Sequence, residues 1–128
     1  MDTGAAGEFK VKVTKENTAN AVGSGMLDVF STPMMIAAME AASVNAIKDL
    51  LDEGCGSVGT KINIEHISAT PIGMTVTAKS ILREIDGRRL VFDTEAYDDK
   101  GLIGKGTHER VIVNTEKFMA KAAGKTGG

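Results

Sequence analysis

The stretch TPMMIAAMEAASVNAIKDLLDEG, residues 32–54, decides the fold. Thr32 suits a helix N-cap, and Pro33 suits the first helical position, where a missing N–H costs nothing. Gly54 stands where a chain leaves a helix. Between these signals almost every residue is a good helix former. Positions 34–42 are apolar on nearly every side apart from Glu40, and a helix apolar all round is enclosed by protein. The many alanines permit close approach of a sheet or of a second helix. Only the later turns, with Lys48, Asp49, Asp52 and Glu53, read as solvated.

Outward from this helix the periodicity is that of strands. Upstream, EFKVKVT (8–14) alternates Phe9, Val11 and Val13 with lysines, the pattern of a half-buried strand, and 17–25 reads as loop. Downstream, 56–67 sets Val58, Thr60, Ile62, Ile64 and His66 on one face. A turn at 69–73 precedes a long strand over 74–85, whose parity slips near Ser80 in the manner of a bulge. Asp86-Gly87 signals a hairpin, 90–97 returns with Leu90, Phe92, Thr94 and Ala96 on one face, and 102–114 is the last strand. Residues 115–122 form a short helix. The ends, 1–7 and 123–128, read as flexible tails on one domain spanning 1–128. A meander of antiparallel strands needs a cover for one face, and the long helix is the candidate for it. The class is α+β.

Composition excludes several functions. A net charge of −2 gives no basis for binding nucleic acid or an anionic membrane, and no Trp with one Tyr leaves little surface for stacking bases. Cys55 is the lone cysteine, which fits a reducing, cytoplasmic setting. The two histidines and this cysteine lack metal-ligand spacing, so neither a metal nor a cofactor is expected. The first residues are small and acidic, unlike a signal peptide, and no uncharged run has membrane-spanning length.

Three polar residues stand in awkward places. Glu40 interrupts the driest part of the helix, where an unpartnered carboxylate costs several kcal/mol. A narrow solvent-facing stripe would explain it equally well. His66 ends the apolar face of its strand; it is either a satisfied edge residue or an acid–base group working near neutral pH. Thr32 is explained by capping alone, yet a hydroxyl there also stands beside backbone N–H groups able to hold an oxyanion. Gly54, Gly56 and Gly59 frame the entry to the second strand, where one of them would let backbone approach a ligand closely. Their GxGxxG spacing follows a helix and precedes a strand, the wrong order for a dinucleotide fingerprint. Cys55 and His108 read as structural.

The segments VFSTPMMIAAME (29–40), GSVGTKINIEHISATPIGMTV (56–76), DGRRL (86–90) and IGKGTHERVIV (103–113) together resemble the fluoroacetyl-CoA thioesterase family, over about residues 26–122. The resemblance implies a hot-dog fold, a curved antiparallel sheet wrapped around one long helix, assembled as a homodimer or higher oligomer with active sites between subunits. It implies hydrolysis of a small acyl-CoA thioester by a Thr, a Glu and a His, which fall on Thr32, Glu40 and His66. It implies substrate contacts from Gly59, which seats the thioester, and from Arg110, near the CoA. The selective enzyme carries an aromatic lid residue shortly before its threonine; this chain has Met26-Leu27 there. Met26 is therefore the expected lid contact, and a short or branched acyl group is as good a candidate as fluoroacetyl. The rival reading is a hot-dog module that binds an acyl thioester without cleaving it.

Overall fold

The computed structural model describes Met1–Gly127. Its elements run β1 (Ala6–Lys12), a 3-10 turn (Lys15–Asn17), α1 (Ala19–Val22), α2 (Thr32–Ile47), β2 (Cys55–His66), β3 (Thr75–Asp86), β4 (Arg89–Asp98), β5 (Gly101–Asn114) and α3 (Thr115–Gly127). The five strands form one antiparallel sheet in the order β1-β3-β4-β5-β2. The sheet curls around α2, as the α+β reading expects. Tight turns join β3, β4 and β5. Between β3 and β4, Asp86 pairs with Arg89 across Gly87-Arg88, and positive φ occurs at Gly87 alone.

One face of α2 is buried: Met35, Ala38, Met39, Ala42, Ser43, Ala46 and Ile47, at the spacing of a helical stripe. It packs on two apolar clusters. One joins Met35, Ala38, Met39 and Ala42 to Val13, Phe30, Val76, Ala78, Ala96 and Ile103. The other joins Ala46 and Ile47 to Leu82, Leu90 and Phe92. Between them runs a buried hydroxyl chain: Ser43 Oγ donates to Ser80 Oγ (2.9 Å), Ser80 to Thr94 Oγ1 (2.9 Å), and Thr94 to the Lys79 carbonyl (3.2 Å). Every donor in it is used, so its burial carries no unpaired group. Gly7 lets β1 lie directly on α2, because a Cβ there would strike the backbone of Ala42 and Ala46.

Several boundaries differ from expectation, each for a local reason. Capping falls to Ser31, whose Oγ accepts from the Met34 N–H (3.3 Å), so Thr32 is the first helical residue. The helix ends at Ile47, not beside Gly54; 48–54 turn back, and the Gly54 carbonyl accepts from the Thr115 N–H. The 17–25 loop contains α1. Within the expected tail 1–7, residues 4–7 are held: Gly4 donates to the Leu82 carbonyl, Leu82 donates to the Ala5 carbonyl, and β1 starts at Ala6. Residues 123–127 continue α3 instead of fraying, and the remainder of that expected tail, Gly128, lies outside the described residues. The slip in β3 sits between Leu82 and Glu84, with Arg83 extra.

The inner face of β2 is also revised. Its register shifts between Gly59 and Lys61, which makes Thr60 a bulge. Beyond it Ile62, Ile64 and His66 do face α2, paired with His108, Gly106 and Gly104. Before it the parity reverses: Ser57 and Gly59 face inward, and Val58 pairs with Val111 on the outer face.

Candidate active site

Two small clefts lie along α2, one near its start and one halfway along it. The first, about 270 Å³, is lined by Ala19, Ser24, Val29, Phe30, Thr32 and His66 with the backbone that follows. Thr32 Oγ1 and His66 Nδ1 are 2.7 Å apart, joining the start of α2 to the end of β2. This pairing follows from the cap. Ser31, fully buried, uses its hydroxyl on the helix and frees that of Thr32. Pro33 has no N–H and that of Met34 is taken by Ser31, so the Thr32 N–H is the donor left at this helix end.

Burial pushes the His66 imidazole below the ordinary histidine value, with the Ser68 backbone pulling the other way. The ring is therefore neutral near pH 7. With the hydroxyl donating to Nδ1, Nε2 carries the ring hydrogen. Nε2 is sealed from solvent and has no partner among the described residues.

The second cleft, about 240 Å³, is lined by Ile36, Glu40, Gly59, Thr60, Lys61, Ile62 and His108. The Glu40 side chain is 41% exposed. Its Oε2 lies 3.5 Å from Arg110 Nη1 and 3.8 Å from His108 Nε2. Arg110 is buried; its Nε donates to Ser57 Oγ (2.8 Å) and its Nη2 to the Ser57 carbonyl (3.0 Å). Burial lowers the Arg110 guanidinium from its usual value, opposed by the Glu40 charge. Gly59 makes the cluster possible, since a Cβ there would stand 2.6 Å from Glu40 Oε2 and 3.1 Å from His108 Cε1.

Thr32 and His66 thus meet, and Glu40, Gly59 and Arg110 meet, but the two groups stay apart within one chain. Eight helical residues separate Thr32 from Glu40 by roughly 12 Å. Met26 belongs to neither cleft: it is 89% exposed at the tip of the segment between α1 and α2. That segment is held at its base, where the Asn20 N–H donates to the Leu27 carbonyl and that of Ala19 to the Val29 carbonyl. His108, read as structural, lies against the Glu40–Arg110 pair. The signal that would have exposed it is its two-residue spacing from Arg110 on a strand, which places both side chains on one face. A larger concavity, about 530 Å³, lies on the outer side of the sheet among Lys79, Asp93, Glu95 and Lys105, and carries none of these groups.

A nucleophile-type hydroxyl on a neutral imidazole, with a carboxylate held by an arginine beside a bare glycine, suits cleavage of an activated acyl group. The sequence profile of a fluoroacetyl-CoA-specific thioesterase family matches residues 13–116. A fluoroacetyl-CoA thioesterase of Streptantibioticus cattleyicolor is 46% identical over 99 residues, 77% of this chain and 71% of its own. A variant of the fluoroacetyl-CoA-specific thioesterase FlK, solved with fluoroacetate and CoA, superposes with a TM-score of 0.86 at 37% identity, over 92% of this chain and 99% of that one. A hot-dog-like protein of Thermanaerovibrio acidaminovorans gives 0.89 at 26% identity, over 100% and 95%. The fold is the hot-dog fold, and the chain belongs to the fluoroacetyl-CoA-specific thioesterase family.

Proposed function

We propose that this protein hydrolyses a small acyl-CoA thioester to free acid and CoA, at sites completed where two copies of the chain meet. The observation that carries the reading is the 2.7 Å contact between Thr32 Oγ1 and a neutral His66, with the threonine released from capping. His66 Nδ1 takes the hydroxyl proton, Thr32 Oγ1 bonds to the thioester carbonyl carbon, and the C–S bond breaks. The departing CoA sulfur receives the proton from His66. Water then cleaves the acyl-threonine and restores the hydroxyl. The Thr32 N–H supports the charge that develops on the carbonyl oxygen.

Glu40 is assigned to activation of that water. The alternative, that it orients His66, is disfavoured because His66 Nε2 is sealed within its own chain. The separation of the two clefts supports placing Glu40, Gly59 and Arg110 of one copy against Thr32 and His66 of another. So does the uncovered side of α2, where Ile36, Ala37, Ala41 and Val44 remain partly or fully exposed, beside the open edge of the twelve-residue strand β2. An apolar helix face next to an unpaired strand edge is the surface a dimer buries. Met26 and Leu27, exposed at the tip before α2, suit closure over an acyl group once that assembly forms. Met26 is unbranched and pliable, which fits short linear and branched acyl chains. No described helix is long and apolar enough to cross a membrane, and the free Cys55 suits the cytoplasm.

The test is release of free thiol from a panel of linear, branched, aromatic and halogenated acyl-CoAs. Thr32→Ala, Glu40→Gln and His66→Ala are each expected to lower turnover at least ~10²-fold with thermal unfolding little changed. Tight binding of every acyl-CoA with no thiol released would identify a binding module instead.

A further inference from the structure

His108 is not part of the chemistry described above, yet it is 2% exposed in the middle of β5 and bonded through both ring nitrogens. Nδ1 lies 2.8 Å from the Lys61 carbonyl, which only accepts, so Nδ1 carries the hydrogen. Nε2 lies 3.0 Å from Arg110 Nη1, which only donates, so Nε2 is bare. The two partners fix the same neutral tautomer independently. Phe92 of β4 stacks on the ring, with centroids 6.2 Å apart at 27°.

Arg110 is a fork with firm and loose tines. Nε and Nη2 are anchored on Ser57, and Nη1 is divided between His108 Nε2 at 3.0 Å and Glu40 Oε2 at 3.5 Å. A guanidinium is planar, so fixing one Nη1 bond fixes the direction of the rest. We propose that His108 is a positioning residue for thioester hydrolysis: its neutral ring accepts from Arg110 and thereby aims Arg110 at the Glu40 carboxylate across Gly59. This inference rests on the assignment of Glu40 to water activation.

The arrangement is conditional on protonation. The charged groups around His108 are Arg110 on its own strand, Glu40 from α2 and, on the other face of β5, the adjacent Glu109; β2 offers the Lys61 carbonyl and β4 the uncharged Phe92. Burial and the Arg110 charge hold the imidazole below its usual value, against the pull of Lys61, Glu40 and Glu109. A second ring hydrogen would occupy Nε2, remove the acceptor and set one cation against another.

Two substitutions separate positioning from packing. His108→Asn keeps a donor for the Lys61 carbonyl and lacks an acceptor for Arg110; His108→Gln places an amide oxygen near the lost Nε2 and does not titrate. His108→Asn is expected to lower kcat roughly tenfold or more with KM little changed, and His108→Gln to retain kcat within about threefold. On the acid side, log kcat of the wild type is expected to fall more steeply than that of His108→Gln, which keeps the titration of His66 and loses that of His108. Nitrogen-15 spectra of the wild type supply a readout without substrate: Nδ1 protonated, Nε2 bare, and Arg110 Nη signals immobilised, as in His108→Gln but not in His108→Asn.

Wild-type kcat in His108→Asn alongside an inactive Glu40→Gln would overturn this inference and leave the role of Glu40 standing. Full activity in Glu40→Gln would overturn that role and the inference with it. A ring protonated at Nε2 near neutral pH overturns the inference whatever the activity.

Discussion

A serine or threonine at a helix start is ordinarily spent on a backbone N–H, and two such residues in succession leave one hydroxyl over. Ser31 and Thr32 divide the work this way, and the spare hydroxyl reaches His66. The sequence marks a cap at 31–32 but does not say which residue takes it, because that depends on where the preceding chain enters. Here the Ser31 N–H is bound to the Asn17 carbonyl, and that contact sets the entry. His66 was legible as an odd residue on an apolar face; the sealing of its Nε2 was not. The two histidines also set a pH dependence. Both are held below the unfolded-chain value of 6.5, so the folded state binds fewer protons than the unfolded chain as pH falls past that value. Their contribution to stability is full above 6.5 and is lost progressively in acid. Urea titrations between pH 7.5 and 5 are expected to show falling stability, with a shallower fall in His108→Gln.

Among elements, α2 and its contacts were the most legible, because apolar spacing and capping residues act locally. Its length was not: LLDE continues good helix-forming chemistry, but the chain must turn to start β2, and the return to pair with β5 wins over propensity. The bulge in β2 was invisible for a related reason. Val58 and Thr60 have strand-like alternation, and only pairing with Arg110 and Glu109 reveals the extra residue. Two substitutions measure how α2 is seated. Gly7→Ala drives a methyl into the Ala42 and Ala46 backbone, which cannot yield as a side chain would. A loss of about 2–3 kcal/mol in chemical denaturation is expected. Ser80→Val removes the middle of the hydroxyl chain while Ser43 keeps the Met39 carbonyl (3.0 Å) and Thr94 that of Lys79 (3.2 Å) as acceptors, so a loss of about 1 kcal/mol is expected by the same measurement.

At the scale of the whole molecule, the sequence marked α2 as enclosed on all sides, yet one chain covers only one of them. The remaining apolar side and the open edge of β2 face the same question of what lies against them. If a second copy does, each site takes residues from two chains, and inactive variants are expected to complement. Mixing equal amounts of unfolded Thr32→Ala and Glu40→Gln and refolding them together is expected to restore about a quarter of wild-type turnover, since half the dimers are mixed and each has one intact site. Turnover no higher than that of the separate variants, measured by thiol release, excludes shared sites. The bulge at Thr60 then has a reach beyond its own strand. It gives β2 two phases: the part ending in His66 serves the hydroxyl, and the part holding Ser57 and Gly59 serves the carboxylate. Excising that single residue would join Gly59 to Lys61 in unbroken alternation, each half keeping its partners on β5 and its inward face, so the change would fall on the local bend that carries Gly59 past the carboxylate.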